Sequence, residues 1–196
     1  KGGFASQKID QLAILEKEII RILLLFGNEV TEFSEEIENE DEDGKITTTI
    51  RKYNNNVSAE IYVHLQDDEI EFTNSVFQEI YTEIIHQLNQ FEKLEIDALV
   101  NHKNVEISET VTSILMDEEK HQLSNWESKN IEVKSEKEVL PKLVSDAVFN
   151  LRRVLIGKKI EELLKESTEK QIIDLETIKG YTGLKIRLFE KLNRVV

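Results

Sequence analysis

Residues 12–26, LAILEKEIIRILLLF, constrain the fold more than any other stretch of the chain. Leu12, Leu15, Ile19, Leu23 and Phe26 recur at helical spacing, and Ile20, Ile22, Leu24 and Leu25 widen the stripe past one face. A helix that is apolar nearly all round must be surrounded by other elements, so a bundle is expected around it. Gly27-Asn28 marks its end, because both residues tolerate a left-handed backbone.

The rest of the chain supplies such neighbours. With seven Gly and one Pro in 196 residues, helices are favoured over many tight turns. Residues 57–66 place Val57, Ile61 and Leu65 on one face, and residues 74–91 align Phe77, Ile80, Tyr81, Ile84, Leu88 and Phe91. A short helix is expected over 94–101 and another over 105–116, with Ile107, Val111, Ile114 and Leu115 inward. Residues 122–133 are mixed, with Trp126 as a core anchor. Residues 35–44, EEIENEDEDG, hold seven acids and no base, which reads as a solvated loop. A calcium loop fails on spacing, since Gly44 directly follows Asp43 and no ligand ladder continues to a Glu. The following ITTTI, residues 46–50, has strand character, but Asn54-Asn55-Asn56 ends it, and a short irregular insertion is expected.

Past Glu136 the pattern changes. Val139, Leu140, Leu143, Val144, Ala147, Val148, Leu151, Leu155, Ile160, Leu163 and Leu164 form one stripe, a helix of nearly thirty residues with Pro141 in its first turn and Gly157 as a weak point. Ser167-Thr168 supplies a turn and a cap. Ile172, Leu175, Ile178, Leu184, Leu188 and Leu192 mark a last helix, with Gly180 and Gly183 as sites of a kink. Two helices joined by a short turn make an antiparallel hairpin. The expected architecture is all-α, with a bundle over residues 1–135 and a long helix and C-terminal hairpin over 136–196. Ile173, Tyr181, Ile186 and Phe189 cannot all face the hairpin seam, and apolar groups left in water call for a partner.

Several functions are excluded by composition. No Cys means no disulfide scaffold, thiolate metal site or Cys nucleophile, and fits a reducing compartment. The longest apolar run, residues 22–26, is far short of the ~18–20 residues of a membrane span. No signal peptide is visible, and a start at Lys1 is read as a piece of a longer protein. Net charge is −14, split unevenly: residues 150–196 are +4 and the remainder −18. An acidic body repels phosphate backbones, so direct nucleic-acid binding is not expected. Arg152-Arg153 and Lys158-Lys159 form the clearest basic cluster, either solvated beside the apolar stripe or set against an acidic protein surface or a nucleic-acid backbone. Glu83/His86 and Glu118/His121 match the spacing of di-metal carboxylate bundles, but the second match lies in DEEKHQ, without apolar flanks. His64 and His102 read as ordinary surface residues. No phosphate-binding glycine loop and no nucleophile elbow is present, and nothing demands catalysis.

The order of segments carries a resemblance. EKEIIRILLLFGN (residues 16–28) resembles the opening of the C-terminal domain of bacterial DnaG-type DNA primases. EFTNSVFQEIY (residues 71–81) resembles a further family segment, with Ser75 in place of the usual Pro. LSNWESKNIEV (residues 123–133) is similar to the Leu-Ser motif before the family's long helix, and LNRVV to the tails of Bacteroidetes-type primases, with Asn193 in place of Gly. The likeness spans nearly the whole chain except the acidic segment and ITTTI. It implies a non-catalytic, cytoplasmic domain of a chain whose polymerase part lies upstream. It implies a bundle and hairpin that bind the replicative DnaB-type helicase, recruit primer synthesis to the fork and modulate the helicase. The contact residues expected are Ile178, Tyr181, Leu184, Ile186, Leu188, Phe189 and Leu192, rimmed by Arg187, Lys191 and Arg194; no cofactor, metal or membrane is expected. Two alternatives stand beside it: an adaptor that self-associates through the hairpin, and a di-metal carboxylate protein.

Overall fold

A computed structural model describes residues 10–40, 46–67, 70–128, 136–170 and 175–194, with side chains at all of these but 38, 40, 121–128, 136–138, 166–170 and 193–194. The side chains of the expected anchor Trp126, of His121 and of Arg194, and residues Ile172 and Ile173, lie outside the described set, while the turn expected at Ser167-Thr168 is not formed, because the helix there runs on through both residues to Lys170.

The first helix, α1 (Gln11–Phe26), is the centre of the molecule. Asp10 caps it, its Oδ1 accepting from Leu12 N at 3.1 Å and Ala13 N at 3.3 Å. Leu12, Ile19, Ile20, Ile22, Leu23 and Leu24 are buried, as an all-round apolar helix requires. Its end differs from expectation: Gly27 is right-handed, not left-handed. Asn28 makes the stop instead, donating to the Leu94 carbonyl at 2.9 Å and accepting from Leu94 N at 2.8 Å. A Cβ at Gly27 would collide with the Leu23 backbone carbonyl and also come within 3.2 Å of Leu94 Cδ2, so the path of the backbone at the helix end explains the glycine.

The acidic segment is the main departure. It is not a loop up to Glu40: strand β1 (Val30–Glu40) pairs antiparallel with β2 (Ile46–Asn56), from Val30↔Asn56 to Glu40↔Ile46. The three asparagines continue β2 rather than ending it. The glutamates of β1 are tolerated because Glu32 meets Lys52 at 2.8 Å and Glu35 meets Arg51 at 3.0 Å across the ribbon. Its base is propped, where buried Phe33 lies 6.2 Å from the Tyr53 ring and β1 touches the long helix described below.

Helices α2 (Val57–Asp67), α3 (Ser75–Phe91), α4 (Ile96–Val100) and α5 (Val105–Ser128) follow. Asn74 caps α3 through Val76 N and Phe77 N, and Ser75 stands at the first helical position, where a missing N–H is harmless. Helix α5 runs past Met116, the expected end, into the charged stretch. Arg21 holds Glu118 at 2.9 Å and Lys17 holds Asp117 at 3.3 Å, so α1 supplies partners for those charges.

The last two helices are α6 (Glu136–Lys170) and α7 (Leu175–Arg194). Charged helix formers start α6 ahead of its apolar stripe, so Pro141 falls in the second turn and is not the first-turn residue expected. Leu140, Val144, Ala147, Val148 and Leu151 enter the same buried cluster as α1, so the core takes side chains from both sides of residue 135. The helix continues through Gly157, and α7 continues through Gly180 and Gly183. Most described residues are helical and the ribbon is the only sheet among them, an all-α class.

Candidate partner-docking surface

The stripe of α6 is covered by α1 and α2 up to Leu151; beyond it, α7 is the main cover. Leu188 is the α7 side chain driven into the seam, at 6% exposure. The remaining apolar groups of α7 stay wet: Leu184 is 45% exposed, Ile186 55% and Phe189 49%. Ile178, Tyr181 and Leu192 are half-buried, Arg187 and Lys191 are exposed, and Leu175 is a further exposed apolar residue.

Helix α7 has a groove on each side. Tyr181, Leu184 and Leu188 face Leu12, Ile70, Leu155 and Ile156 across a groove of about 590 Å³ with Arg152, Lys158 and Lys159 and the acids Glu71 and Glu162 in its lining. Lys185 and Phe189 face Val154 and Gly157 across a second groove of about 790 Å³, closed at one end by the first turn of α1. The Arg153 guanidinium lies 5.3 Å from the Phe189 ring centroid, and the Lys191 ammonium 5.9 Å from that of Phe149. Each cation holds α7 to α6 while leaving the far face of the helix open. Thus the expected contact residues separate: Leu188 is a seam residue, Tyr181 and Leu184 wall one groove, Phe189 walls the other, and Ile186 and Arg187 point to solvent.

The basic cluster on α6 also divides. Arg152 donates to the His64 carbonyl at 3.1 Å and lies 3.3 Å from His64 Nδ1; Lys159 approaches Glu162 at 4.0 Å. His64 is therefore no ordinary surface residue. Its Nε2 is 3.1 Å from Glu60 Oε1, and Glu60 also accepts from the Tyr53 hydroxyl at 2.7 Å and from Asn55 at 2.9 Å. A guanidinium can only donate, so Nδ1 is the acceptor and the Nε2–H tautomer is the one that satisfies both neighbours. Burial first, then the bond to Glu60, pushes the Tyr53 hydroxyl up to about 12. This chain ties the ribbon, α2 and α6 together, and no sequence spacing foretold it. His102 is likewise engaged, its Nδ1 accepting from Asn104 N at 3.1 Å.

No three His, Asp or Glu side chains converge as a metal cage among the described residues. His86 contacts Gln90 and Glu83 contacts Gln87, each on its own helix, while Glu118 is taken up by Arg21. No described helix is long and apolar enough to cross a membrane.

No curated protein and no solved structure matches this chain. A family model does match, over residues 5–195, and by that extent the chain belongs to the family described as a domain of unknown function, DUF8430.

Proposed function

We propose that this chain is a docking module: the non-catalytic C-terminal domain of a cytoplasmic DnaG-type DNA primase, which binds the replicative DnaB-type helicase, brings primer synthesis to the fork and modulates the helicase. The observation that carries the reading is α7, a helix seated on α6 with Leu184, Ile186 and Phe189 45–55% exposed and Lys185, Arg187 and Lys191 along its rim. That is the pattern of a helix read by a partner's helices, with apolar anchors set among charges that steer approach. The ordered motifs at residues 16–28, 71–81 and 123–133 support the choice of partner.

The cognate helicase's N-terminal domains, titrated against the immobilised chain, provide the test. We expect binding by the intact chain and its loss when residues after Glu166 are removed. Phe189→Ala should weaken it roughly tenfold or more, as for an aromatic anchor. Undiminished binding by the truncated chain would place the site elsewhere; no binding by the intact chain would end the helicase reading.

A further inference from the structure

Strand β2 leaves one of its two edges without a neighbour. The ribbon is the only sheet among the described residues and has the order β1-β2, so the N–H and C=O groups along the outer edge of β2 have no strand to bond. Residues 46–52 are exposed throughout, and the register to β1 runs one for one from Val30↔Asn56 to Glu40↔Ile46, without a bulge. Natural proteins blunt a free edge with a proline, a charge or a bulge. The stretch 46–50, ITTTI, has none of these: it is five β-branched residues in a row.

That stretch is also a palindrome. Ile46, Thr47, Thr48, Thr49 and Ile50 read the same in either direction. Antiparallel pairing of two copies about Thr48 therefore sets Ile46 of one against Ile50 of the other, Thr47 against Thr49, and Thr48 against Thr48. Alternation puts Ile46, Thr48 and Ile50 on one face, and the two isoleucines are 63% and 70% exposed, so four of them would meet in one patch. A closed two-fold contact needs a surface complementary to itself, and a palindrome on a strand edge supplies one. Charge restricts the choice further. Each copy carries −14, so two copies repel over most of their surface and can meet closely only along an uncharged stretch. Arg51 and Lys52, next along the strand, are already held by Glu35 at 3.0 Å and Glu32 at 2.8 Å.

We propose that two copies of this chain pair through β2, antiparallel about Thr48, and join their ribbons into one four-stranded sheet of order β1-β2-β2-β1. An extended strand is what the open edge selects, because its backbone alone matches the spacing of the free N–H and C=O groups. Five residue pairs fall short of the ~1,200 Å² of a standard interface, so the dimer is a weak one, formed at roughly micromolar concentrations and above. This inference goes beyond the docking reading and does not depend on it.

Sedimentation velocity of the full chain over a concentration series is the test, with thermal melts confirming that each variant folds. Wild type should pass from monomer to dimer, and added salt should favour the dimer by screening the repulsion between acidic bodies. Thr48→Lys and Thr48→Glu each set like charges opposite one another, so each should weaken the dimer roughly fivefold, and an equimolar mixture of the two should restore it. The chain has no Cys, so Thr48→Cys should form a covalent dimer under mild oxidation, while Ser34→Cys on exposed β1 backbone should not. A wild type that stays monomeric at every concentration, with no cross-link through Thr48→Cys, overturns the proposal. A dimer indifferent to both charge variants overturns it too, and moves self-association to another surface. Loss of helicase binding by Thr48→Lys, with wild type monomeric, would assign the edge to a strand of that partner instead of a second copy.

Discussion

Glu16 and Asp146 are acidic side chains drawn out of water into different surroundings. Glu16, at 1% exposure, accepts from Thr73 N at 2.6 Å, Thr73 Oγ1 at 2.8 Å and Asn74 N at 3.1 Å, so its lone pairs are used and it fixes the approach to α3. Asp146 has a buried Oδ1 without a hydrogen-bond partner among the described residues. Burial raises its carboxyl above the ordinary 3.8, with Lys142 pulling the other way. A carboxyl whose pKa is raised by folding binds its proton more tightly in the folded state. Stability therefore falls as pH rises from the unfolded value through the folded one. Asp146→Asn should be stabilising at pH 7, with the gain fading below about pH 4. Urea unfolding at pH 7 and pH 3.5 reads this, and an equal gain at both would point to packing rather than charge. Neither role was legible in the sequence, where both residues are one acid among 39. Burial of a carboxylate depends on which distant backbone N–H groups arrive beside it.

At the scale of elements, the helices were legible and the ribbon was not. Spacings such as Phe77, Ile80, Ile84 report directly on one helix face, and the same residues are buried in α3. Strand β1 offered no such signal, because its glutamates are neutralised by Arg51 and Lys52 from a strand 16 to 20 residues away. Charge density alone reads as loop; the pairing that tolerates it is non-local. The available clue was the pair of aromatics, Phe33 and Tyr53, one on either side of the acidic run and paired across the ribbon. Helix α5 overran its expected end for a similar reason, its charges being held by Lys17 and Arg21. Gly180 and Gly183 are helical, with nothing within 4 Å of where a Cβ would sit. Gly180→Ala and Gly183→Ala should each stabilise α7 by about 0.5–1 kcal/mol by restricting the unfolded chain. Slower amide hydrogen exchange across α7 is the expected readout, and unchanged exchange would show that these glycines are not helical in solution.

Across the whole molecule, the buried cluster is built by α1 to α6 with Phe33 of β1 and the connecting residues Phe72 and Leu94, and α7 contributes to burial chiefly through Leu188. A chain ending at Lys170 should therefore keep one cooperative thermal transition, with its midpoint lowered by about 10 °C or less. Loss of cooperativity in a melt followed by circular dichroism would show that α7 is part of the core. The surplus of apolar side chains on α7 was legible from residues 175–192, since one seam cannot cover them all. The grooves beside α7 were not, because they depend on how Leu12, Ile70 and Arg152 arrive from three other elements.

Helix α6 is one unbroken rod of 35 residues, about 52 Å end to end, embedded along Leu140 to Leu151 and covered further out chiefly by α7. Such a rod behaves as a cantilever. A load applied to the helix riding on its outer half is delivered as torque at the embedded half, beside α1. Whatever grips the outer end thereby sets the attitude of the entire body, with no joint between to dissipate the motion.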